Sequence, residues 1–274
     1  MSKSAPIRIP FYKYQGAGND FIIIDNRKSL YSFLNTMQIA HFCNRRFGIG
    51  ADGLMLLEND EKQVFNMRYF NADGLEGSMC GNGGRCIVSL AYHLKIFKKS
   101  VRFNANDGVH EAELVSEFFP QSLVRLQMKN VNTYTKKGKV FVIDTGSPHY
   151  VCFVEDVESI DVITLGRKIR FSKDFPEGIN VDFVQITEAG LQVRTYERGV
   201  EDETFSCGTG ATAAAIAYFA LMNVDEGAQS ISITTKGGHL QIHLQVEAME
   251  KKKIFKNVYL EGLTALVYKG EVEL

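Results

Sequence analysis

Most of the chain alternates hydrophobic and polar residues, as at Phe65, Met67 and Tyr69, with the period of a half-buried strand. Turns rich in glycine separate many of these segments. Helical spacing is confined to residues 36–46, the stretch after Cys80, residues 160–169 and the apolar residues 213–222. The pattern therefore predicts an α+β protein in which strands outnumber helices.

Two of the predicted helices follow the same short motif, Cys-Gly-Asn-Gly at residues 80–83 and Cys-Gly-Thr-Gly at residues 207–210. The first turn of a helix has backbone N–H groups without intrahelical partners and a partial positive charge, so an anion is stabilised there. We therefore expect the pKa of both thiols to fall towards neutrality. The neighbouring amides could hold a carboxylate.

The polar residues that precede the two motifs also repeat. Asn19 and Asn180 each lead an Asp and a Phe into an apolar strand, and Asn71 and Glu197 precede the two cysteines by similar distances. We infer a duplication that gives two pseudo-symmetric α+β domains. Each is expected to be a curved mixed β-sheet or barrel-like roll around a central helix, with the active site in the cleft between them. The predicted domains are residues 1–128, which residues 265–274 can join, and residues 129–264.

One glycine-rich segment carries a misleading motif. Residues 48–53 match the dinucleotide fingerprint G-x-G-x-x-G, which requires a strand before it and a helix after it. Here a helix is predicted before the segment and a strand after it, so we reject nucleotide binding.

Composition narrows the class of protein. The 274 residues are 45% hydrophobic and 23% charged, which is typical of a globular chain. A formal net charge of −1 argues against nucleic acid or an anionic membrane as partner. The longest apolar stretch, residues 211–222, is shorter than the roughly 20 residues of a membrane span, and no signal-peptide core is evident, so we expect a cytoplasmic protein. An odd number of cysteines, five, favours reduced thiols.

Two matched thiols suggest a specific reaction. One thiolate can remove a proton from one face of a carbon stereocentre while the other thiol returns a proton to the opposite face. Such a pair can invert an amino-acid α-carbon if both helix N-termini stabilise the charge that builds on the α-carboxylate. No lysine lies in an obvious pyridoxal-phosphate context, so no cofactor is expected.

Seven motifs together resemble the diaminopimelate epimerase family, in order and across the chain. They are Gly-Ala-Gly-Asn-Asp-Phe at residues 16–21, Gly-Ile-Gly-Ala-Asp-Gly at 48–53, Phe-Asn-Ala-Asp-Gly at 70–74, Cys-Gly-Asn-Gly at 80–83, Gly-Ser-Pro-His at 146–149, Glu-Arg-Gly at 197–199 and Cys-Gly-Thr-Gly at 207–210. The resemblance implies a pyridoxal-phosphate-independent racemase that interconverts LL- and meso-diaminopimelate in lysine and peptidoglycan precursor synthesis. It also implies a cytoplasmic homodimer. We expect no metal site.

Carried onto matching positions, the resemblance implies that Cys80 and Cys207 are the acid–base pair, with His149 and Glu197 as supporting groups. The residues implied to bind the substrate are Asn19, Asn71, Gly81, Asn82, Asn180, Glu197, Arg198, Gly208 and Thr209. Two departures concern the substrate contacts. Ser147 stands where the family usually has Asn, and residues 200–202 form a longer, glycine-free link.

Three alternatives stay open at this point. A proline or hydroxyproline racemase would share the fold and the paired cysteines. A Cys/His hydrolase would use one thiol as nucleophile and His149 as base, but it leaves the second motif unexplained. A zinc-binding module would use Cys80, Cys86, His149 and Cys207, although the spacing of the first two does not match usual structural sites.

Overall fold

A computed structural model of the chain describes residues 6–77, 79–249 and 252–274. Its helices are α1 (Thr36–Cys43), α2 (Gly81–His93), α3 (Val162–Arg170) and α4 (Gly208–Leu221). Its strands are β1 (Arg8–Gly16), β2 (Asn19–Asp25), β3 (Gly53–Glu58), β4 (Asn66–Asn71), β5 (Ser100–Ala105), β6 (Gly108–Phe118), β7 (Gln121–Gln127), β8 (Tyr134–Lys137), β9 (Val140–Asp144), β10 (Pro148–Val154), β11 (Asn180–Thr187), β12 (Gly190–Glu197), β13 (Asp202–Thr204), β14 (Gly227–Thr235), β15 (Gly238–Met249) and β16 (Lys252–Glu273).

The chain divides into two compact units. Unit 1 comprises Met1–Val124 and Leu263–Leu274, and unit 2 comprises Arg125–Gly262. The long strand β16 contributes its first half to unit 2 and its second half to unit 1.

Unit 1 is a closed barrel around a helix. Its strands follow the order β1-β2-β3-β4-β5-β6-β7-β16, and β16 pairs back onto β1 from Arg8↔Glu273 to Gly16↔Thr264. Helix α2 packs against β1, β2, β3 and β6, and its residues from Gly81 to Ala91 are buried. Closing the sheet leaves no free strand edge and lets the inward-facing side chains enclose this helix.

Unit 2 wraps a second helix in the same way. Its strands follow the order β16-β15-β14-β12-β11-β10-β9-β8, and β13 pairs with β12. Helix α4 contacts β9, β10, β11, β12, β14 and β15. Its all-round apolar sequence predicts a helix covered on every side, and its burial from Gly210 to Ala217 confirms that prediction.

The two units repeat one order of elements, which confirms the predicted pseudo-symmetric α+β class. Unit 1 runs β1-β2-α1-β3-β4-α2-β5-β6-β7, and unit 2 runs β9-β10-α3-β11-β12-α4-β14-β15-β16 with β13 inserted. The parallel pairs fall at the same places, β2 with β3 and β10 with β11, then β4 with β5 and β12 with β14. The duplication is therefore visible in the topology.

One predicted correspondence is wrong. Asn19 begins β2, whose counterpart in unit 2 is β10, whereas Asn180 begins β11, the counterpart of β3. The similar Asn-led sequences therefore occupy different strands of the repeat. The other correspondence is confirmed, because Asn71 ends β4 and Glu197 ends the matching strand β12.

Helix α1 differs slightly from its prediction. Asn35 caps it: Asn35 Oδ1 accepts from the Gln38 backbone N–H over 3.1 Å, and Gln38 Oε1 accepts from the Asn35 backbone N–H over 3.0 Å. The helix ends at Cys43, before the predicted residue 46. Residues 48–53 follow this helix and lead into β3, which confirms the rejection of the dinucleotide motif. Over the ranges the structure describes, no helix is long and apolar enough to cross a membrane.

Candidate active site

In unit 1 the asparagines predicted to bind substrate lie at one end of three paired strands. The register aligns Phe21 of β2 with Gly53 of β3, and Gly53 with Asn71 of β4. Asn19 begins β2 and Asn71 ends β4, so both lie at this end of the strands. Helix α2 also begins here, because Asn82 in its first turn contacts Asn19.

A directed chain of hydrogen bonds fixes two of these amides. Arg85 Nη2 donates to Asn82 Oδ1 over 2.8 Å, and Asn82 Nδ2 donates to Asn19 Oδ1 over 2.5 Å. Asn19 Nδ2 then donates to Asp52 Oδ2 over 2.9 Å. A guanidinium only donates and an ionised carboxylate only accepts, so the two ends determine the orientation of both amides.

The carboxylate end of this chain belongs to an ion cluster. Arg45 Nη2 lies 2.6 Å from Asp20 Oδ1 and 2.7 Å from Asp52 Oδ1, and Lys13 Nζ lies 2.7 Å from Asp20 Oδ2. Burial opposes ionisation of Asp20, but the hydrogen bonds and charges of Arg45 and Lys13 outweigh it and lower its pKa to about 2. Asp20 is therefore ionised at neutral pH.

The other end of the chain lies inside the barrel. Arg85 is fully buried, and burial lowers its pKa from the ordinary value. Cys80 precedes α2 with extended backbone angles, φ −92° and ψ 126°, and the Gly84 N–H donates to its carbonyl over 2.7 Å. The partly exposed thiol of Cys80 therefore stands at the N-terminus of the buried helix, as predicted.

In unit 2 the predicted residues assemble at the matching end of β10, β11 and β12. His149 of β10 is aligned with Asn180 of β11, and the Arg198 backbone N–H donates to Asn180 Oδ1 over 2.8 Å. Glu197 ends β12 directly before Arg198. Cys207 precedes α4, so its thiol also stands at the N-terminus of a buried helix.

A buried His–Asp pair lies next to this helix. His149 Nδ1 is 2.7 Å from Asp182 Oδ2, and both side chains are 0% exposed. The hydroxyl of Thr195 donates to Asp182 Oδ1 over 2.8 Å. On the other side of the ring, His149 Nε2 lies 2.9 Å from Thr209 Oγ1, which in turn lies 3.3 Å from Cys207 Sγ.

The expected acidification of Cys207 is not found. Desolvation by burial and the nearby carboxylates of Glu197 and Asp182 raise the pKa of the Cys207 thiol well above the ordinary value. The Thr209 hydroxyl and the Gly210 backbone N–H act in the opposite direction, but they do not compensate. The prediction considered only the end of the helix, whereas burial and two carboxylates dominate in the folded protein. Cys207 is thus a thiol at neutral pH.

The two departures from the family pattern have defined contacts. Ser147 Oγ lies 3.0 Å from His149 Nε2 and 3.2 Å from Thr209 Oγ1, and it accepts from Asn180 Nδ2 over 3.2 Å. In the glycine-free link, Glu201 Oε1 lies 3.0 Å from Arg170 Nη2 and accepts from the Gly199 N–H over 3.0 Å. Ser147 and Glu201 therefore both contact other residues of unit 2.

Three residues that the sequence analysis did not select belong to these arrangements, namely Asp52, Arg85 and Asp182. Asp52 lies in the segment 48–53, and Arg85 lies two positions after the first Cys-Gly-Asn-Gly. Asp182 interrupts the apolar strand β11. A charged residue within a buried strand or helix requires a partner, and that signal could have identified Arg85 and Asp182.

Comparison with known proteins agrees with this fold. A phenazine biosynthesis protein of the PhzF family from Bacillus anthracis superimposes with a TM-score of 0.78 at 12% identity, covering 98% of this chain and 100% of that one. A hydroxyproline epimerase from Agrobacterium vitis gives a TM-score of 0.69 at 14% identity, covering 97% of this chain and 93% of that one. These likenesses define the fold class alone.

Sequence comparison is more specific. The diaminopimelate epimerase family profile matches residues 11–133 and 141–259. The diaminopimelate epimerase of Flavobacterium psychrophilum is 45% identical over 263 residues, which are 95% of this chain and 99% of that protein. The enzyme of that name from Chlorobaculum tepidum is 42% identical over 268 residues, with coverages of 94% and 99%.

Fold and sequence together define a class, the isomerases built from two such helix-centred units. Within that class, the chain belongs to the diaminopimelate epimerase family. Among the residues described, no group of three or more His, Cys, Asp or Glu is placed to hold a metal ion.

Proposed function

We propose that this protein interconverts LL- and meso-diaminopimelate by moving a proton at one α-carbon between two cysteines. The observation that carries the proposal is the repeated arrangement itself, in which each unit presents one partly exposed thiol at the N-terminus of a buried helix. The family profile and relatives named diaminopimelate epimerase, which match nearly the whole chain, support diaminopimelate as the substrate. A proline or hydroxyproline racemase is supported only by likeness of fold.

The proposed chemistry needs one thiolate and one thiol. Cys80 and Cys207 act as base and acid in one direction and exchange these roles in the other. Because the pKa of Cys207 is raised, we propose that it is the protonated partner before substrate binds. His149 and Glu197 are proposed as the groups that support proton transfer to and from the thiols.

The same helix ends are proposed to stabilise the carbanion. The backbone amides of Gly81, Asn82, Gly208 and Thr209 would bind the α-carboxylate, on which negative charge builds as the proton leaves. No cofactor is required if this stabilisation is strong enough. The distal amino-acid end would be bound by Asn19, Asn71, Asn180 and Arg198, whose guanidinium can grip a carboxylate with two parallel hydrogen bonds.

Isotope incorporation tests the reaction. LL-diaminopimelate incubated with the purified protein in heavy water, without added cofactor, should give meso product that carries deuterium at the inverted carbon. Mass spectrometry of the product and a chiral separation of the isomers measure both events. Inversion without uptake of solvent isotope would contradict a two-cysteine mechanism, and failure to convert this substrate would contradict the proposed substrate.

We propose that residues 1–128 with 265–274 form one epimerase domain and residues 129–264 the other, and the division of the chain into two compact units supports this.

We also propose a cytoplasmic location, because it accords with a step in lysine and peptidoglycan precursor synthesis. Cell fractionation tests this location.

We further propose that the protein is a homodimer. Unit 1 exposes apolar side chains on neighbouring segments, since the Leu266 N–H donates to the Pro120 carbonyl over 3.0 Å, and Phe119 and Val267 beside them are 67% and 55% exposed. Sedimentation equilibrium should give twice the chain mass. Phe119→Glu combined with Val267→Glu should favour monomers, and an unchanged dimer would exclude this surface.

A further inference from the structure

A buried cation lies against the first turn of α2. Arg85 is 0% exposed, and a guanidinium keeps its proton in proteins. Its Nη2 donates to Asn82 Oδ1 over 2.8 Å, and its Nη1 donates to the Gly81 carbonyl over 3.4 Å. Its Nε has no hydrogen-bond partner in the part of the chain that the structure describes. The side chain therefore points back along α2, and its charge lies at the start of that helix.

The charge of Arg85 is not balanced by a carboxylate. Among the residues described, the titratable groups that favour the charged guanidinium are two thiols, those of Cys80 and Cys86. Cys86 is fully buried, and burial raises its pKa far above the ordinary value, so this thiol stays neutral near neutral pH. A buried charge without a countercharge is costly. The partly exposed Cys80 is therefore the thiol that can supply the countercharge, as a thiolate.

We propose that Arg85 is a positioning residue whose buried charge stabilises the thiolate of Cys80, so that Cys80 is the ionised member of the thiol pair in the ligand-free enzyme. This inference rests on the proposed function, because it states which of the two proton carriers starts as the base. The supporting roles proposed for His149 and Glu197 are unchanged by it.

The matching position in unit 2 has no charge. Thr212 lies five positions after Cys207, as Arg85 lies five positions after Cys80. Thr212 is also 0% exposed, and its hydroxyl donates over 2.8 Å to the carbonyl of Gly208, the first residue after the cysteine. A neutral hydroxyl thus stands where unit 1 has a guanidinium. Because burial and two carboxylates raise the pKa of Cys207, the two thiols have opposite electrostatic surroundings.

The other charged groups around α2 do not replace Arg85. The helix packs against β1, β2, β3 and β6. Tyr14 of β1 is neutral, because burial raises its pKa above the ordinary value, and Glu117 of β6 lies beside His93 at the opposite end of α2. The charged groups of β1, β2 and the segment before β3 form the balanced ion cluster of Lys13, Asp20, Arg45 and Asp52. None of these groups favours the buried guanidinium.

The first test measures the alkylation of Cys80 by iodoacetamide in the ligand-free protein, with peptide mass spectrometry across a pH series. The wild-type rate should rise with a midpoint below about 8.5, the pKa of a free cysteine. Arg85→Met should raise that midpoint by about one pH unit or more, so the rate at a pH below both midpoints should fall by about 10-fold or more. Arg85→Lys keeps the charge and should recover most of the shift. An unshifted midpoint in Arg85→Met, or equal shifts in both variants, would overturn the proposal.

Thermal unfolding distinguishes this role from a structural one. Arg85→Met removes an uncompensated buried charge and fills the space with an apolar side chain, so its Tm should equal or exceed that of the wild type. Circular dichroism measures the transition. A lower Tm together with an unshifted Cys80 midpoint would show that Arg85 serves packing, and it would overturn the proposal.

A second measurement keeps Arg85 in place. If the folded protein lowers the pKa of Cys80 below about 8.5, the folded state binds fewer protons than the unfolded state between the two pKa values. The free energy of unfolding of the wild type relative to Cys80→Ala should therefore increase as the pH rises through this window. Chemical denaturation of both proteins at several pH values measures the difference. A difference that is constant or decreases with pH would overturn the proposal.

Thr212→Val is the matched control in unit 2. It removes a buried hydroxyl without changing a charge, so the alkylation midpoint of Cys207 should stay at its wild-type value. A shift of the Cys207 midpoint as large as that of Cys80 in Arg85→Met would overturn charge as the cause. Alkylation needs no substrate, so these results decide the role of Arg85 separately. A wild-type enzyme that inverts no diaminopimelate would instead contradict the proposed function.

Discussion

The two units contain hydrogen-bond chains that are built from different chemical groups. In unit 1 the chain runs from Arg85 through two amides to Asp52, and a guanidinium and amides do not change protonation near neutral pH. In unit 2 the chain contains a thiol, a hydroxyl, an imidazole and a carboxylate. The same order of strands therefore carries groups of fixed protonation in one unit and groups that can exchange protons in the other.

A duplicated fold therefore does not duplicate its chemistry. Both units place a thiol at the start of a buried helix, which is the feature that the repeated motif determines. The carboxylates that raise the pKa of Cys207 come from β11 and β12, whose sequences differ from those of the matching strands β3 and β4. We therefore expect unit 1 variants at Asp52 to affect mainly substrate binding and unit 2 variants near Cys207 to affect mainly turnover.

Asp52→Leu should have the largest effect within the unit 1 chain. The substitution leaves Asn19 Nδ2 without its acceptor, so Asn19 loses one of the two contacts that hold its amide, whereas Arg85 still orients Asn82. A lost hydrogen bond of this kind costs about 1–3 kcal/mol, which corresponds to a KM raised by about 5–150-fold with a smaller change in kcat. Steady-state kinetics with LL-diaminopimelate measures both constants. A fall in kcat alone would contradict a binding role for this chain.

The raised pKa of Cys207 can be measured through the rate at which its thiol is alkylated. With its pKa raised, Cys207 in the ligand-free protein should react with iodoacetamide at neutral pH at least about 10-fold more slowly than a free cysteine, whose pKa is about 8.5. Peptide mass spectrometry across a pH series gives the rate at this residue. The rate should rise with a midpoint above about 8.5, and a midpoint near or below neutrality would restore the acidified thiol that the helix end alone predicts.

The smallest effect is expected for Arg45→Gln, the control for Asp52→Leu. It removes the exposed partner of the ion cluster but leaves Asn19 bonded to Asp52 Oδ2. Exposed ion pairs contribute about 0.2–1 kcal/mol, so KM should change by less than about 5-fold. If Arg45→Gln raised KM as much as Asp52→Leu does, the ion cluster rather than the amide chain would orient the binding residues.

Much of the fold was predictable because it depends on local patterns. Alternation identified the strands, and the all-round apolar sequence of α4 predicted its burial. The predicted correspondence of Asn19 with Asn180 was wrong, because the two short sequences are alike although their strands, β2 and β11, occupy different places in the repeat. Strand pairing is set by contacts distant in sequence, which a local similarity does not contain.

The candidate site was predictable only in part. Cys80, Cys207 and His149 stand in recognisable motifs, but the partner of His149 lies 33 residues further along the chain. Nothing in the spacing of His149 and Asp182 indicates their contact. The pKa of Cys207 was mispredicted for a related reason, because the helix end is a local feature whereas burial and the Glu197 carboxylate depend on the tertiary fold.

Hydrogen exchange by the single cysteine variants shows which thiol acts on which face of the α-carbon. In heavy water, Cys80→Ala and Cys207→Ala should each lose inversion of diaminopimelate, because each lacks one of the two proton carriers. The remaining thiol can still exchange the α-proton that faces it, so one variant should label only the L-configured centre and the other only the D-configured centre at the reacting carbon. Labelling of the same centre by both variants, or undiminished inversion by either, would contradict the assignment of the two thiols to opposite faces.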